Sequence, residues 1–401
     1  MRTLILTGLA AAVLAFPAVA GQDAITIGLT VSETGALNVD STAQMNGFRL
    51  WQEQVNEGGG ISVADKKYKV NFISYDDQSK ADRVQQLYSR LIIQDDADFL
   101  FSPYSSGLTS TAAIVSEQYG KVMITTGAAE DKTYTLGNKY LFQMYAPATT
   151  YLRGALDALK EVNPGAKVAF AYKDDGFSKA VVAGARVYAE KIGLAKAFDE
   201  AYAPGTTDFG PIINKVVASG ADAIVGGGHY ADGATLARQL FDHKAPLSFI
   251  SLLVAPDSPK FAELGEAAAG NITAPSQWAP QAAYKVAFGP EGTAFNQSYR
   301  RKYNTEPSYH AAGGYAAGVV LQRAIEQADS LDGDKVTDAL NKIDNTIFFG
   351  HVKFAVDPAN HGLQIGHDMV IVQWQNQGGT LTKEVIWPKD ARTKPLVYPL
   401  H

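Results

Sequence analysis

The feature that most limits the fold of this chain is its alternation of short apolar runs with amphipathic helical runs. Residues 25–31 and 70–75 have the pattern of strands, and the helical run between them carries Phe48, Trp51 and Val55 on one face. Strands separated by helices pair in parallel, because each crossover returns the chain to the same end of the sheet. The alternation therefore predicts an α/β protein.

A second run of the same kind begins after residue 147. Its predicted strands are 167–172, 221–225 and 247–253. The dipeptide Ala274-Pro275 interrupts this run, and alternating apolar residues at 369–374 and 381–387 predict a hairpin near the C-terminus. The sequence thus predicts two α/β units, each with a parallel sheet, although the order of elements alone does not assign the later segments to a unit.

Residues 99–131 predict a strand, a Ser-rich loop, a helix, a second strand and a loop of small residues. Both loops leave the same edge of a parallel sheet, which is the edge where open α/β folds bind ligands. The first loop offers the hydroxyls of Ser105 and Ser106, and the second offers backbone N–H groups around Gly127, Ala128 and Ala129. Convergent donors of this kind suit a ligand carboxylate, although such loops can also be ordinary turns.

The N-terminus and the composition exclude several classes of protein. Residues 1–20 have the features of a secretory signal, with Arg2, an apolar run too short to span a bilayer, and small residues at Ala18 and Ala20. The sequence contains no cysteine, so disulfides, lipidated cysteines and thiol nucleophiles are excluded. The net charge of −6, without any basic run, argues against nucleic acid and anionic membranes as partners. We therefore expect an exported protein.

Eight segments follow one another in a distinctive order: ITIGLTVSETGAL, YDDQSKADRVQQLYSRLI, SPYSSGLTSTAA, ITTGAAED, AYKDDGFSKA, ADAIVGGGHYADGATLARQ, EPSYHAAGGYAAGVVLQRAI and FFGHVKF. Their order and spacing resemble those of the type I periplasmic solute-binding proteins, in the branch of the leucine/isoleucine/valine-binding proteins of ABC importers. The resemblance covers essentially the whole chain after the signal.

The resemblance implies two lobes, each with a mainly parallel sheet flanked by helices, joined by three hinge crossovers near residues 146, 276 and 353. The ligand would lie between the lobes. The implied assignment is 22–144 with 276–351 in lobe 1, 145–275 with 353–388 in lobe 2, and 389–401 as a C-terminal tail.

The resemblance also implies the residues that contact the ligand. In lobe 1 these are Ser105, Ser106, Ala128, Ala129 and Glu130, and in lobe 2 Phe177 and Tyr230 close over the ligand. The chain differs from the binders of branched-chain amino acids at three places. Glu130 stands where threonine is usual, Phe177 stands where tyrosine is usual, and Val254-Ala255-Pro256 replaces a loop whose acidic residue holds the ligand amine. These differences favour an aromatic or other non-branched-chain acid.

Other candidates each allow two interpretations. Glu130 can accept from a ligand amine or face solvent, Asp232 can accept from an ammonium group or cap a helix, and Trp278 can line the pocket or belong to the core. The GxGxxA pattern at 226–231 is a weak dinucleotide signal, and the seven histidines match no zinc motif. No cofactor and no metal ion are expected.

The leading interpretation is a monomeric periplasmic protein that binds a small carboxylate-bearing solute, an amino acid or an aromatic or hydroxylated acid. It would deliver this solute to the membrane subunits of an ABC import permease, and it is not expected to be an enzyme. The alternatives are a secreted α/β hydrolase that uses cleft carboxylates, and a ligand-sensing domain of the same fold.

Overall fold

The computed structural model describes residues 24–400, so the predicted signal peptide lies outside the described residues. The strands are β1 (Ala24–Val31), β2 (Ile61–Val63), β3 (Lys66–Asp76), β4 (Phe99–Phe101), β5 (Met123–Thr125), β6 (Leu141–Gln143), β7 (Lys167–Lys173), β8 (Ala195–Tyr202), β9 (Ala223–Gly227), β10 (Phe249–Leu252), β11 (Thr273–Ser276), β12 (Asp344–Ile347), β13 (Gly350–Lys353), β14 (Val370–Gln377) and β15 (Thr380–Trp387). The α-helices are α1 (Asn38–Glu57), α2 (Ala81–Ile93), α3 (Ser106–Gln118), α4 (Arg153–Val162), α5 (Gly176–Lys191), α6 (Gly210–Ala218), α7 (Tyr230–Asp242), α8 (Glu266–Ala269), α9 (Gly292–Tyr303), α10 (Tyr309–Ala328) and α11 (Gly333–Leu340). Within this range, every helix is too short or too polar to cross a membrane.

The first sheet has the strand order β2-β3-β1-β4-β5-β6. Strands β3, β1, β4, β5 and β6 pair in parallel, and the short β2 pairs antiparallel with β3 at the edge. Apolar residues of β1 and β4 are fully buried because helices cover both faces of the sheet. We call this sheet and the helices packed on it lobe 1.

The second sheet has the order β15-β14-β11-β10-β9-β7-β8. Its central strands are parallel, whereas β14 is antiparallel to both β11 and β15. Strands β14 and β15 form the predicted terminal hairpin. Pro275, which the sequence analysis treated as a break, lies inside β11. The tail after β15 packs on this sheet, because the Leu400 N–H donates to the Ser248 carbonyl at 2.9 Å. We call this sheet and its helices lobe 2.

The chain passes between the sheets three times: after β6, after β11, and again before β14. Each lobe is therefore built from segments that are distant in sequence, as the resemblance implied for the fold. The exact lobe boundaries stay a prediction. On the return to β14, the Gln364 N–H donates to Gln143 Oε1 and ties this crossing to the end of β6.

Asp257 joins three segments beside the second crossing. It lies in the loop after β10, is fully buried, and accepts hydrogen bonds from the Tyr309 N–H at 2.7 Å and from the Ser276 hydroxyl at 2.8 Å. Lys383 of β15 supplies the opposite charge, with its Nζ 2.9 Å from Asp257 Oδ1. A buried charge needs such partners, so the start of α10 is tied to the second crossing, at the boundary between the lobes.

Candidate ligand-binding cleft

The carboxyl ends of the parallel strands of the two sheets face each other across one cleft. From lobe 1, the loops after β1, β4 and β5 reach the cleft together with the start of α10. From lobe 2, the loops after β7 and β9 reach the same cleft. Open α/β sheets bind ligands at this edge, so the folding pattern alone makes the cleft the candidate site.

The Ser-rich loop after β4 is shaped by its own serines. Ser105 caps α3 by accepting from the Leu108 N–H, and it does so with a positive φ of 84°. A residue other than glycine adopts this conformation at an energetic cost, and such strain is common at ligand sites. The Ser106 hydroxyl accepts from the N–H groups of Ala129 and Glu130, both at 3.1 Å. Because this oxygen accepts two bonds, the hydroxyl proton is left to donate to a further group.

The loop after β5 is fixed through its carbonyl groups. The Ala128 carbonyl accepts from the Tyr134 hydroxyl at 2.9 Å and from the Gln143 side chain at 3.3 Å, and the Ala129 carbonyl accepts from the Ala148 N–H at 2.7 Å. Ala128 and Ala129 are buried. These bonds hold the backbone of the small-residue loop rigidly beside the Ser-rich loop, as a binding site requires.

In lobe 2, the turn after β7 and the turn after β9 meet at His229. Asp175 caps α5 by accepting from the Ser178 N–H, and its Oδ2 lies 3.5 Å from His229 Nε2. Burial by itself opposes ionisation of Asp175, but the hydrogen bond and charge of His229 lower the pKa of Asp175 to about 2. The Phe177 ring is buried, with its centre 5.6 Å from that of the His229 ring. Tyr151, which follows the first crossing, packs edge-on against the Phe177 ring.

Direct hydrogen bonds cross the cleft, so the structure is in a closed form. The Tyr104 hydroxyl of lobe 1 lies 2.9 Å from His229 Nδ1 of lobe 2, and the Tyr230 N–H of lobe 2 donates to Asp40 Oδ2 of lobe 1 at 3.3 Å. Tyr104, His229 and Asp40 are all buried. Because the partners belong to different lobes, they become neighbours only when the lobes close.

Asp40 is a buried carboxyl with weak charge compensation. It lies in the first turn of α1 with 2 % of its surface exposed, and its Oδ1 is 3.9 Å from His310 Nδ1. Burial raises the pKa of Asp40 to about 6, although His229 and hydrogen bonds from Tyr230 and Tyr104 act in the opposite direction. Burial also holds the pKa of His310 well below its usual value, so this imidazole is neutral near pH 7.

Glu130 lies against the other lobe. Its carboxylate packs on Gly176, the first residue of α5, so closely that a Cβ there would come within 2.5 Å of Oε2. The side chain is half-buried, and burial raises its pKa, with Lys132 opposing this shift. A carboxylate at a helix N-terminus is favoured by the helix dipole, so Glu130 is placed to stabilise the closed form.

The remaining predicted residues have mainly structural contacts. Tyr230 begins α7, and its half-buried ring packs against the apolar core of lobe 2. Asp232 stabilises the same helix start, because it accepts from the His229 N–H at 3.0 Å and pairs with Lys173 at 3.1 Å. Trp278 is buried edge-on to Phe295 at 5.4 Å, in the apolar core rather than on an open surface. As ligand contacts, these residues stay predictions.

The sequence analysis missed three cleft residues: Asp40, Tyr104 and His229. One signal for Asp40 was available, since the helix after the first strand of a parallel sheet also opens at the ligand edge. Tyr104 and His229 gave no comparable signal, because their proximity depends on how the lobes close. In the described part of the chain, no group of three or more potential ligand residues could hold a metal ion.

Two α/β lobes that close over a buried cleft define a two-lobed solute-binding protein. The sequence profile of the periplasmic binding protein family matches residues 24–380. The chain therefore belongs to the periplasmic binding protein family and has the type I fold of its leucine/isoleucine/valine-binding branch. Members of this family bind solutes for ABC transporters and are not enzymes.

Relatives and neighbours agree with this assignment. An amino acid binding protein from Pseudomonas aeruginosa is 24% identical over 362 residues, covering 88% of this chain and 91% of that protein. The branched-chain amino acid transporter substrate-binding protein LivJ from Streptococcus pneumoniae, in complex with isoleucine, has a TM-score of 0.76 at 22% identity, covering 91% of this chain and 100% of that chain. A solute-binding protein of an ABC transporter from R. palustris, in complex with 4-hydroxybenzoate, has a TM-score of 0.74 at 20% identity, covering 90% and 95%.

Proposed function

We propose that this protein captures a small organic carboxylate in the periplasm and delivers it to an ABC import permease. The observation that supports this most directly is the closed cleft, in which the Ser106 hydroxyl accepts from the Ala129 and Glu130 N–H groups and has its own proton left to donate, beside buried aromatic side chains. Hydrogen-bond donors without a fixed positive side chain favour a carboxylate through directed bonds.

The ligands of the structural neighbours support a carboxylate as one functional group of the ligand, and they differ in the rest of the molecule. The S. pneumoniae protein was solved with isoleucine and the R. palustris protein with 4-hydroxybenzoate. Both ligands have a carboxylate, and only isoleucine has an amine. In this chain, Ser105, Ser106, Ala128 and Ala129 are proposed to surround the carboxylate, Phe177 to cover the ligand, and Glu130 to hold the lobes together over it.

A thermal-shift screen of the purified mature protein tests the function. The panel contains aliphatic amino acids, aromatic and hydroxylated acids, and small amides. A cognate ligand should raise the melting temperature with increasing concentration, because it binds only the folded state, and it should be recovered chemically unchanged. Turnover of the ligand, or a panel in which no carboxylate binds, would contradict the proposal.

A further inference from the structure

Asp40 lies where a ligand between the lobes would meet it. Its two oxygens face both lobes, with the Tyr230 N–H on one side and the His310 imidazole of α10 on the other. The Tyr104 hydroxyl, hydrogen-bonded to His229 Nδ1, also lowers the pKa of Asp40. These partners are neutral dipoles or a neutral imidazole, so they leave the negative charge of Asp40 without an equal positive charge in contact.

The lysines around the cleft are engaged elsewhere. Lys173 pairs with Asp232 at 3.1 Å, and Lys383 pairs with Asp257 at 2.9 Å. His229 Nε2 lies 3.5 Å from Asp175 Oδ2, so this imidazole already has a carboxylate partner. An ionised carboxyl buried without a matching cation is costly, so a cation brought by the ligand would relieve this cost.

Two unpartnered polar atoms lie near Asp40. Gln44 follows Asp40 by one helical turn on the same face of α1, and its Oε1 is buried without a hydrogen-bond partner among the described residues. The Tyr145 hydroxyl is likewise buried and unpartnered within residues 24–400. A buried acceptor without a partner costs free energy. A protonated amine has three N–H donors and can bond to more than one such acceptor at once.

Aromatic rings pack around His310, the imidazole next to Asp40. The His310 ring is 4.9 Å from the Tyr104 ring and 6.2 Å from the Tyr145 ring, and Tyr309 stands 5.5 Å from Tyr145. The faces of aromatic rings attract cations, more strongly when water is excluded. Carboxylate, neutral acceptors and aromatic faces thus occur together at the start of α1.

We infer that Asp40 is the specificity-determining residue that selects a ligand with a protonated amine, and that the cation binds on lobe 1 at the start of α1. This inference rests on the proposed function, because it names the second functional group of the proposed carboxylate ligand. The loop 254–256 has no acidic residue for this role. Glu130 differs from Asp40, because it packs on Gly176 and is near Lys132 and Lys179.

Calorimetry on matched pairs of ligands tests the inference. The pairs are L-leucine with 4-methylpentanoate and L-phenylalanine with 3-phenylpropanoate, each pair differing only in the amine. Wild-type protein should bind the amine member of at least one pair tenfold or more tightly than its partner. Asp40→Asn keeps the shape and a hydrogen-bond acceptor, and it should remove this preference while leaving the affinity for the partner acid within about twofold.

Two control variants distinguish selection of the amine by Asp40 from lobe closure and from the general loss of a negative charge. Glu130→Gln should weaken both members of a pair by the same factor, because the lost contact is between the lobes. Asp334→Asn, a surface acid that pairs with Lys139, should change neither affinity. Circular dichroism and melting curves of Asp40→Asn show whether it folds, and retained binding of the amine-free acid confirms an intact site.

Three results would overturn the inference. One is a wild-type preference for the amine-free acids, or a panel in which every ligand found lacks a cationic nitrogen; the proposed function would then still stand. Another is an unchanged preference in Asp40→Asn. The third is a panel in which no carboxylate binds at all, because the proposed function then fails and the inference fails with it.

Discussion

Tyr104 joins the two lobes through a single hydroxyl. It is buried, it lies 2.9 Å from His229 Nδ1, and the ring also stands edge-on to the His310 ring. A hydrogen bond that exists only in the closed form stabilises that form selectively. Its contribution is therefore measured in ligand affinity rather than in the stability of the open protein.

Tyr104→Phe should lower the affinity for the cognate ligand about five- to tenfold, since a buried hydrogen bond contributes about 1 kcal/mol. The melting temperature of the ligand-free protein should change little. Tyr88→Phe is the matched control, because the Tyr88 hydroxyl donates to the Phe101 carbonyl inside lobe 1. It should lower the free energy of unfolding and leave the affinity unchanged. Equal affinities of wild type and Tyr104→Phe, measured by calorimetry, would contradict this role.

Asp40→Asn should also change the pH dependence of stability. Burial raises the pKa of Asp40 from 3.8 to about 6, so folding favours the protonated form. That favourable contribution is complete below pH 3.8 and is lost as the pH rises through 6. Between pH 4 and 7 the wild type should lose about 1–3 kcal/mol of unfolding free energy relative to the variant. Urea titrations at each pH, with a saturating amine-free acid present to keep the lobes closed around Asp40, measure this; a constant difference would contradict it.

Taking the difference in unfolding free energy between wild type and Asp40→Asn also cancels the contributions of other titrating groups. The depressed pKa of His310 stabilises the fold above the usual histidine range, and this contribution is lost as the pH falls. Because wild type and Asp40→Asn both contain His310, the contribution largely cancels in their difference. The remaining pH dependence of the difference in unfolding free energy therefore comes from Asp40.

At the scale of single residues, the sequence predicted the loops better than the partners within them. The position of Ser106 and of Ala129 at the cleft follows from strand and loop patterns. Their mutual hydrogen bond does not, because two loops 23 residues apart can meet in many ways. Asp40 and His229 were harder still to predict, because their roles depend on a contact between lobes that no local sequence pattern encodes.

Among the elements, helices α1 and α10 pack closely because glycines stand at their contact. A Cβ at Gly47 would come within 2.0 Å of the Ala311 carbonyl oxygen, and one at Gly314 would come within 2.3 Å of the Gln44 carbonyl oxygen. Backbone atoms cannot move aside as a flexible side chain can. This contact fixes the start of α10, and with it Tyr309 and His310, relative to lobe 1.

Gly47→Ala should therefore destabilise the protein by about 1–3 kcal/mol or more, and it should also weaken ligand binding by displacing the start of α10. Gly107→Ala is the control, since Gly107 lies exposed in α3 with no atom within 4 Å of an added Cβ. The control should be neutral or stabilise by up to about 1 kcal/mol. Denaturant unfolding compares the two, and a stability of Gly47→Ala equal to that of the wild type would rule out close packing here.

Elements with strong apolar patterns were predicted correctly, including β1, β7, β10 and the hairpin β14–β15. Strand β8 was missed because it forms the edge of its sheet, and most of its residues are only partly buried. Strand β11 was missed because Pro275 suggested a break, yet the sheet extends through it. An edge position and a proline both weaken the local signal while the tertiary contacts remain.

For the whole molecule, the cross-lobe contacts predict a hinge motion. The closed form depends on contacts of Tyr104, Asp40 and Glu130 with lobe 2, and a ligand between the lobes adds to them. Without ligand, the lobes should separate about the crossings near Ala146, Ser276 and Lys353. Small-angle scattering should show a smaller radius of gyration when a saturating ligand is added. An unchanged radius at saturation would exclude closure as the binding mechanism.

The three crossings also affect how the chain can fold as it is made. When a ribosome has completed residue 276, the second sheet still lacks β14 and β15, and lobe 1 still lacks α10, which covers α1. Lobe 1 has no finished core until α10 has been made, and lobe 2 has none until β14 and β15 follow. The polypeptide therefore has no complete domain to fold early, and its long-range contacts favour slow, late folding. A chain that folds late stays unfolded for longer, and this would suit the export that residues 1–20 predict.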